Sequence, residues 1–127
     1  MAHRILIVED SPTMRQLLVF ALRRLKGVEI VEAQDGMDGL RQISGEPFDI
    51  ALIDINMPVM DGVELVSRMS DDGLIKTIPV IVVSTEGSET RINELRRKGI
   101  AGYLRKPFTP EQFKELVNRV LERDDDT

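Results

Sequence analysis

Four polar clusters each follow a short apolar run, and together their residue types suit one kind of chemistry. Glu9 and Asp10 follow Ile5-Leu6-Ile7-Val8, and Asp54, with Asn56 two residues on, follows Ile50-Ala51-Leu52-Ile53. Ser84-Thr85 follow Val80-Ile81-Val82-Val83, and Lys106-Pro107 follow Gly102-Tyr103-Leu104-Arg105. Carboxylates brought together repel and raise one another's pKa unless a cation shares the site. Glu9, Asp10 and Asp54 are hard oxygen donors, suited with backbone carbonyls and water to an octahedral magnesium ion. Lys106 adds a point charge and Ser84 a short hydroxyl donor. A metal ion, an ammonium and a hydroxyl facing one carboxylate are what in-line phosphoryl transfer needs, because three equatorial oxygens must be positioned and their charge neutralised. Helix capping and loop solvation account for any one of these residues alone, but less well for their joint placement.

For the clusters to meet, the runs before them must lie side by side. The first three runs are short, apolar and rich in β-branched residues, as expected of strands buried on both faces. Gly102-Tyr103-Leu104-Arg105 reads as a short fifth strand, and a further run, Val28-Glu29-Ile30-Val31, reads as a second strand. Between them lie segments with helical spacing. Pro12 suits a first helical turn, followed by Met14, Leu17, Leu18, Ala21, Leu22 and Leu25 before Gly27. Asp35 is a cap for a helix with Met37, Leu40 and Ile43 on its apolar side, and Gly45-Glu46-Pro47 interrupts the chain after it. Asp61 caps and Gly62 opens the helix of Val63, Leu65, Val66 and Met69; a fourth helix spans about Glu89 to Lys98, with Ile92 and Leu95 facing inward and Gly99 after it. Thr109-Pro110 starts the last, with Phe113, Leu116, Val117, Val120 and Leu121 on one side. Five strand–helix units predict an α/β fold, an open doubly wound parallel sheet with helices on both faces. Ligand sites in such sheets lie beyond the carboxyl ends of the strands, where all four clusters fall.

The 127 residues predict a single domain with its core at about 4–123 and an acidic, frayed tail at 124–127. Forty-two per cent of the residues are hydrophobic, enough for one core, and none of the apolar runs approaches the roughly 20 residues that cross a bilayer. With no cysteine, disulfide scaffolds, thiol catalysis and Cys-based metal centres are excluded. The start of the chain has no secretory pattern, and a cytoplasmic location is expected. A formal charge of -5 argues against nucleic-acid binding. The basic cluster Arg96-Arg97-Lys98 reads instead as cations favoured near a helix C-terminus. His3 is expected before the first strand, away from the polar edge, so any phosphohistidine donor must come from another domain. Met57 reads as loop packing and Met69 as core rather than as a soft-metal surface.

From Arg4 to about Arg123 the chain resembles the response-regulator receiver family, and within it the single-domain chemotaxis members. The resemblance is carried by Ile7-Val8-Glu9-Asp10-Ser11, Ile53-Asp54-Ile55-Asn56-Met57-Pro58-Val59-Met60-Asp61-Gly62, Val82-Val83-Ser84-Thr85 and Tyr103-Leu104-Arg105-Lys106-Pro107-Phe108, in order. It implies a flavodoxin-like strand order 2-1-3-4-5 and a phosphoryl group passed from a histidine kinase's phosphohistidine to Asp54. It implies Mg2+, with Mn2+ as a substitute, held by Asp10, Asp54, the backbone carbonyl of Asn56, and Glu9 directly or through water. Lys106 matches the lysine that contacts the phosphoryl oxygens, next to a cis bond to Pro107. Ser84 matches the hydroxyl that turns toward the phosphate, Tyr103 the aromatic switch residue, and Asn56 and Glu86 the positions that tune dephosphorylation. The implied partners are a histidine kinase and an output or phosphotransfer protein on the face of the fourth helix, fifth strand and fifth helix, with no nucleic acid and no membrane insertion. Self-phosphorylation from small phosphodonors and autodephosphorylation are implied, but no stand-alone enzyme.

Two points depart from the family's commonest pattern. Glu9 stands where aspartate is frequent, and Ser84-Thr85 offers two hydroxyls, of which Ser84 directly follows the strand. A haloacid-dehalogenase-like phosphatase would need a second aspartate where Asn56 stands. A dinucleotide or flavin binder would need a phosphate-binding loop where Glu9-Asp10 would repel the ligand. A phosphorylation-independent interaction module on the same fold, or a phosphorelay intermediate, remains the alternative to a switch of partner binding.

Overall fold

The computed structural model describes residues 3–57, 60–85 and 88–125, with side chains to 122. Strands and helices alternate: β1 (His3–Val8), α1 (Pro12–Arg23), β2 (Val28–Ala33), α2 (Gly36–Gly45), β3 (Ile50–Asp54), α3 (Gly62–Asp71), β4 (Val80–Ser84), α4 (Glu89–Lys98), β5 (Gly102–Arg105) and α5 (Pro110–Asp125). The strands form one parallel sheet in the order β2-β1-β3-β4-β5, as expected. α5 continues to Asp125, beyond the expected core boundary.

Strand alternation divides the core in two. Ile5, Ile7, Ile50, Leu52, Ile81 and Val83 pack with Leu18 and Leu22 of α1 and with Phe113, Val117, Val120 and Leu121 of α5. Leu6, Val8, Ala51, Ile53, Val80 and Val82 pack with Ile43 of α2, with Leu65, Val66 and Met69 of α3, and with Leu95 of α4. β3 and β4 are buried along their whole length, which is why their sequences show no polar alternation.

The expected caps form. Asp35 accepts from Asp38 N at 2.7 Å, Asp61 from Glu64 N at 2.9 Å, and Thr109 from Gln112 N at 3.1 Å. Gly99 ends α4 in the left-handed region (φ 105), and Arg96, Arg97 and Lys98 occupy that helix's last turn. Met57 and Met69 are buried, as expected.

Two expectations require correction, and one element is new. His3 does not precede β1; it is the strand's first residue, paired with Val28, with Nδ1 3.8 Å from Asp49 Oδ2. It does lie at the edge of the sheet opposite the polar clusters. Leu17 (57% exposed) and Met37 (50% exposed) fit the helical spacing but do not reach the core, because the arc of helix that meets the sheet is narrower than the apolar arc. A turn of 3-10 helix at Leu74–Lys76 precedes β4 with no periodic signal of its own.

Candidate functional site

β1 and β3 are neighbours, with Val8 opposite Ile53, so the residues leaving them are carried to the same edge. Glu9 and Asp54 continue the Ile5-Ile7 and Ile50-Leu52 series on the α1/α5 side of the sheet. Asp54 is the last residue of β3 rather than the first beyond it, opposite Val83 of β4. Carboxylate oxygens of Glu9, Asp10 and Asp54 all lie within 4.8 Å of one another. Glu9 is 1% and Asp54 7% exposed, whereas Asp10 faces solvent.

Lys106 reaches this cluster from the end of β5. Its Nζ lies 3.4 Å from Glu9 Oε1 and 3.5 Å from Asp54 Oδ1. The Lys106 backbone N–H donates to the Ser84 carbonyl at 2.8 Å, tying the ends of β4 and β5, and the Lys106–Pro107 bond is cis. Ser84 is the fully buried last residue of β4, while Thr85 is exposed. By alternation Ser84 belongs to the Val80-Val82 side of the sheet, and half-buried Tyr103 packs against that same cluster. Asp54 and Ser84 therefore reach the edge from opposite faces, with Ser84 on the side of Tyr103.

Asn56 is exposed in the loop after β3 and lines a depression of about 350 Å³ with Met57, Asp61 and Arg91. Glu86 lies outside the described residues, as do Pro58 and Val59 of the quoted motif. Gly62 makes the loop after β3 possible. Its N–H donates to the Ile55 carbonyl at 2.9 Å, and a Cβ there would sit 2.7 Å from Ile55 Cα and collide with the Asp54 carbonyl oxygen. Both obstacles are backbone, so Gly62→Ala is expected to cost about 1–3 kcal/mol of stability in urea unfolding. It should also weaken magnesium binding, because relief of the clash displaces Asp54.

The electrostatics fit a divalent cation. Burial raises the Glu9 pKa to about 7, the nearby Asp54 carboxylate adds to the rise, and Lys106 opposes it. Among the described residues Glu9 Oε2 is a buried acceptor with no hydrogen-bond donor. One ammonium at 3.4–3.5 Å faces a cluster of three carboxylates and leaves acceptor capacity over. Hard oxygen donors in excess of local positive charge are what Mg2+ takes, and the residues present fit that ion.

One contributor was not legible in the sequence. Arg15, in the first turn of α1, donates from Nη1 to the Glu9 carbonyl oxygen at 2.9 Å and pairs through Nε with Glu32 Oε1 at 3.1 Å. Its signal was weak: a cation where the helix dipole disfavours one.

The family model of the response regulator receiver domain matches residues 5–118. The chain belongs to the response regulator receiver family. Among relatives of this receiver, the chemotaxis protein CheY of Pseudomonas aeruginosa is 37% identical over 94% of the chain and 97% of its own length. Chemotaxis protein CheY1 of Helicobacter pylori is 35% identical over 96% of the chain and 99% of its own. The crystallised chemotaxis protein CheY4 of Vibrio cholerae superposes with a TM-score of 0.85 at 33% identity, covering 94% of this receiver and 99% of that chain.

Two surfaces of the receiver adjoin the site. Tyr103, Lys106, Gln112, Glu115 and Arg119 line a groove of about 570 Å³ between β5 and α5. On the other side, Leu17 and the 68%-exposed Phe20 of α1 line a more apolar groove of about 290 Å³ that runs to Lys106, Pro107 and Phe108. Among the described residues, no helix is long and apolar enough to cross a membrane.

Proposed function

We propose that this receiver accepts a phosphoryl group on Asp54 from the phosphohistidine of a histidine kinase and thereby switches the binding of a protein partner. The observation that carries the reading is the cluster itself: Asp54 within 4.8 Å of the Glu9 and Asp10 carboxylates and 3.5 Å from Lys106 Nζ. An Asp54 carboxylate oxygen attacks phosphorus, the P–O bond forms as the P–N bond to the donor imidazole breaks, and the imidazole leaves with a proton. Glu9, Asp10, Asp54 and the Asn56 carbonyl would hold Mg2+, which when bound neutralises charge building on the phosphoryl oxygens. Lys106 supplies the second counter-charge, and the Ser84 hydroxyl turns to donate to a phosphoryl oxygen. That movement occurs on the side of the sheet where Tyr103 packs, and it biases the orientation of the ring. Asn56 and Glu86, at the positions that the family resemblance assigns to dephosphorylation, tune how long the acyl phosphate lasts.

The groove between β5 and α5 supports the β5 and α5 part of an output surface on α4, β5 and α5, because it joins Tyr103 to Lys106. Exposed Leu17 and Phe20 beside Lys106 support a protein, rather than a small molecule, as the physiological donor. Relatives named as chemotaxis proteins match over nearly their whole length, which supports a motility output reached by protein contact.

The test is chemical trapping. After incubation with acetyl phosphate and Mg2+, borohydride reduces an acyl phosphate to an alcohol that peptide mass spectrometry can locate. The expected result is reduction at residue 54, absent without Mg2+ and absent in Asp54→Asn. Reduction elsewhere, or equal labelling of the variant, removes the acceptor assignment. Partner capture that does not differ between the free and beryllofluoride-bound protein removes the switch.

A further inference from the structure

We infer that Arg15 and Glu32 form a brace that positions the acidic metal-binding loop, so that magnesium affinity depends on a residue that touches no metal. This deepens the proposed function and rests on the reading of Glu9, Asp10 and Asp54 as the magnesium site. The loop Glu9-Asp10-Ser11 is fixed where it leaves β1 and where it enters α1. Glu9 N donates to the Ala33 carbonyl at 3.1 Å, and Ser11 Oγ accepts from Met14 N at 3.3 Å. Between these ties, the Glu9 carbonyl is held by Arg15 Nη1 at 2.9 Å. The same guanidinium is anchored through Nε to Glu32 Oε1 at 3.1 Å, near the end of β2. Arg15 thus spans helix, loop and edge strand.

The helix does not require a cation there. Arg15 lies in the first turn of α1, where the helix dipole disfavours positive charge, yet its side chain is only 20% exposed. Its planar fork can hold a carbonyl and a carboxylate at once, which a lysine nitrogen cannot do in the same geometry. Partners outside the metal's own ligands commonly set affinity by a factor of about 10–100.

The sign of the effect separates a brace from simple charge. Removing a cation near an acidic cluster should strengthen attraction for Mg2+. Releasing a brace should weaken binding, because Glu9 and Asp10 lose their fixed spacing. Calorimetric titration with MgCl2 at pH 7.5 on wild type, Arg15→Ala, Arg15→Lys and Glu32→Gln tests this. The brace predicts about 10-fold weaker binding for Arg15→Ala, weakening also for the charge-preserving Arg15→Lys, and a smaller loss for Glu32→Gln. Faster amide exchange at Asp10 and Ser11 in metal-free Arg15→Ala, with β3 and β4 unchanged, is the accompanying local signature.

Wild-type-like or tighter binding by Arg15→Ala and Arg15→Lys overturns the brace while leaving the metal site intact. A wild type that takes up no magnesium overturns the site reading instead. Should Arg15→Ala not fold, Arg15→Lys and Glu32→Gln decide by the same criterion.

Discussion

Lys106→Ala is expected to slow phosphorylation of Asp54 by acetyl phosphate by about 100–1,000-fold while tightening magnesium binding. The rate loss is that of removing one pre-positioned donor from a charge-developing transition state. The gain in metal affinity has a different origin. Lys106 Nζ stands 3.4 Å from Glu9 and 3.5 Å from Asp54 with only 14% of its side chain exposed, so it competes with a metal ion for the same carboxylates. Opposite movement of the two quantities is the mark of a group that works by charge on the transferring phosphoryl. Measured at saturating magnesium, a fall in both rate and affinity would mean instead that Lys106 holds the edge together. Lys106→Met preserves the aliphatic stem and should reproduce the split. Without metal, both variants should unfold at lower temperature, because two buried carboxylates lose their nearest counter-charge, and magnesium should remove that difference.

What was legible in the sequence follows from which forces are local. Apolar runs such as Val80 to Val83 and the caps Asp35, Asp61 and Thr109 depend on spacing along a few residues, and the elements formed where spacing put them. The site was legible because parallel strands carry whatever follows them to one edge, so chain position alone gathered Glu9, Asp54, Ser84 and Lys106. Side-chain direction at that edge was harder. Asp54 and Ser84 each end a strand, but alternation sends them to opposite sides of the sheet, a distinction that needs the strand end to within one residue. Arg15 was beyond reach because its partners are a backbone carbonyl, which has no sequence identity, and Glu32 on another strand. The exposure of Leu17 and Met37 was hidden for a related reason: helical spacing tells which residues share a face, not how much of that face a neighbour covers.

Magnesium affinity is expected to rise about 10-fold per pH unit between pH 5 and pH 7 and then level off. The cause is Glu9, whose pKa burial raises to about 7 from 4.5 in the metal-free protein. Below the raised value Glu9 holds a proton that a metal must displace, so each bound ion releases about one proton. In the absence of metal the same shift gives stability of the opposite slope. A carboxyl whose folded pKa is raised binds more protons folded than unfolded, so its contribution is complete below about 4.5 and is lost as pH rises through about 7. Magnesium should therefore stabilise the protein little at pH 5 and most above pH 7, where the ionised, buried Glu9 would otherwise share the Lys106 ammonium with Asp54. Titrations in buffers of different ionisation enthalpy report the proton release directly. Glu9→Gln cannot ionise, so it should bind magnesium more weakly and lose the slope between pH 5 and 7. An affinity that stays level across that interval in wild type would mean that Glu9 is already ionised there, held so by Lys106 against the burial that raises it.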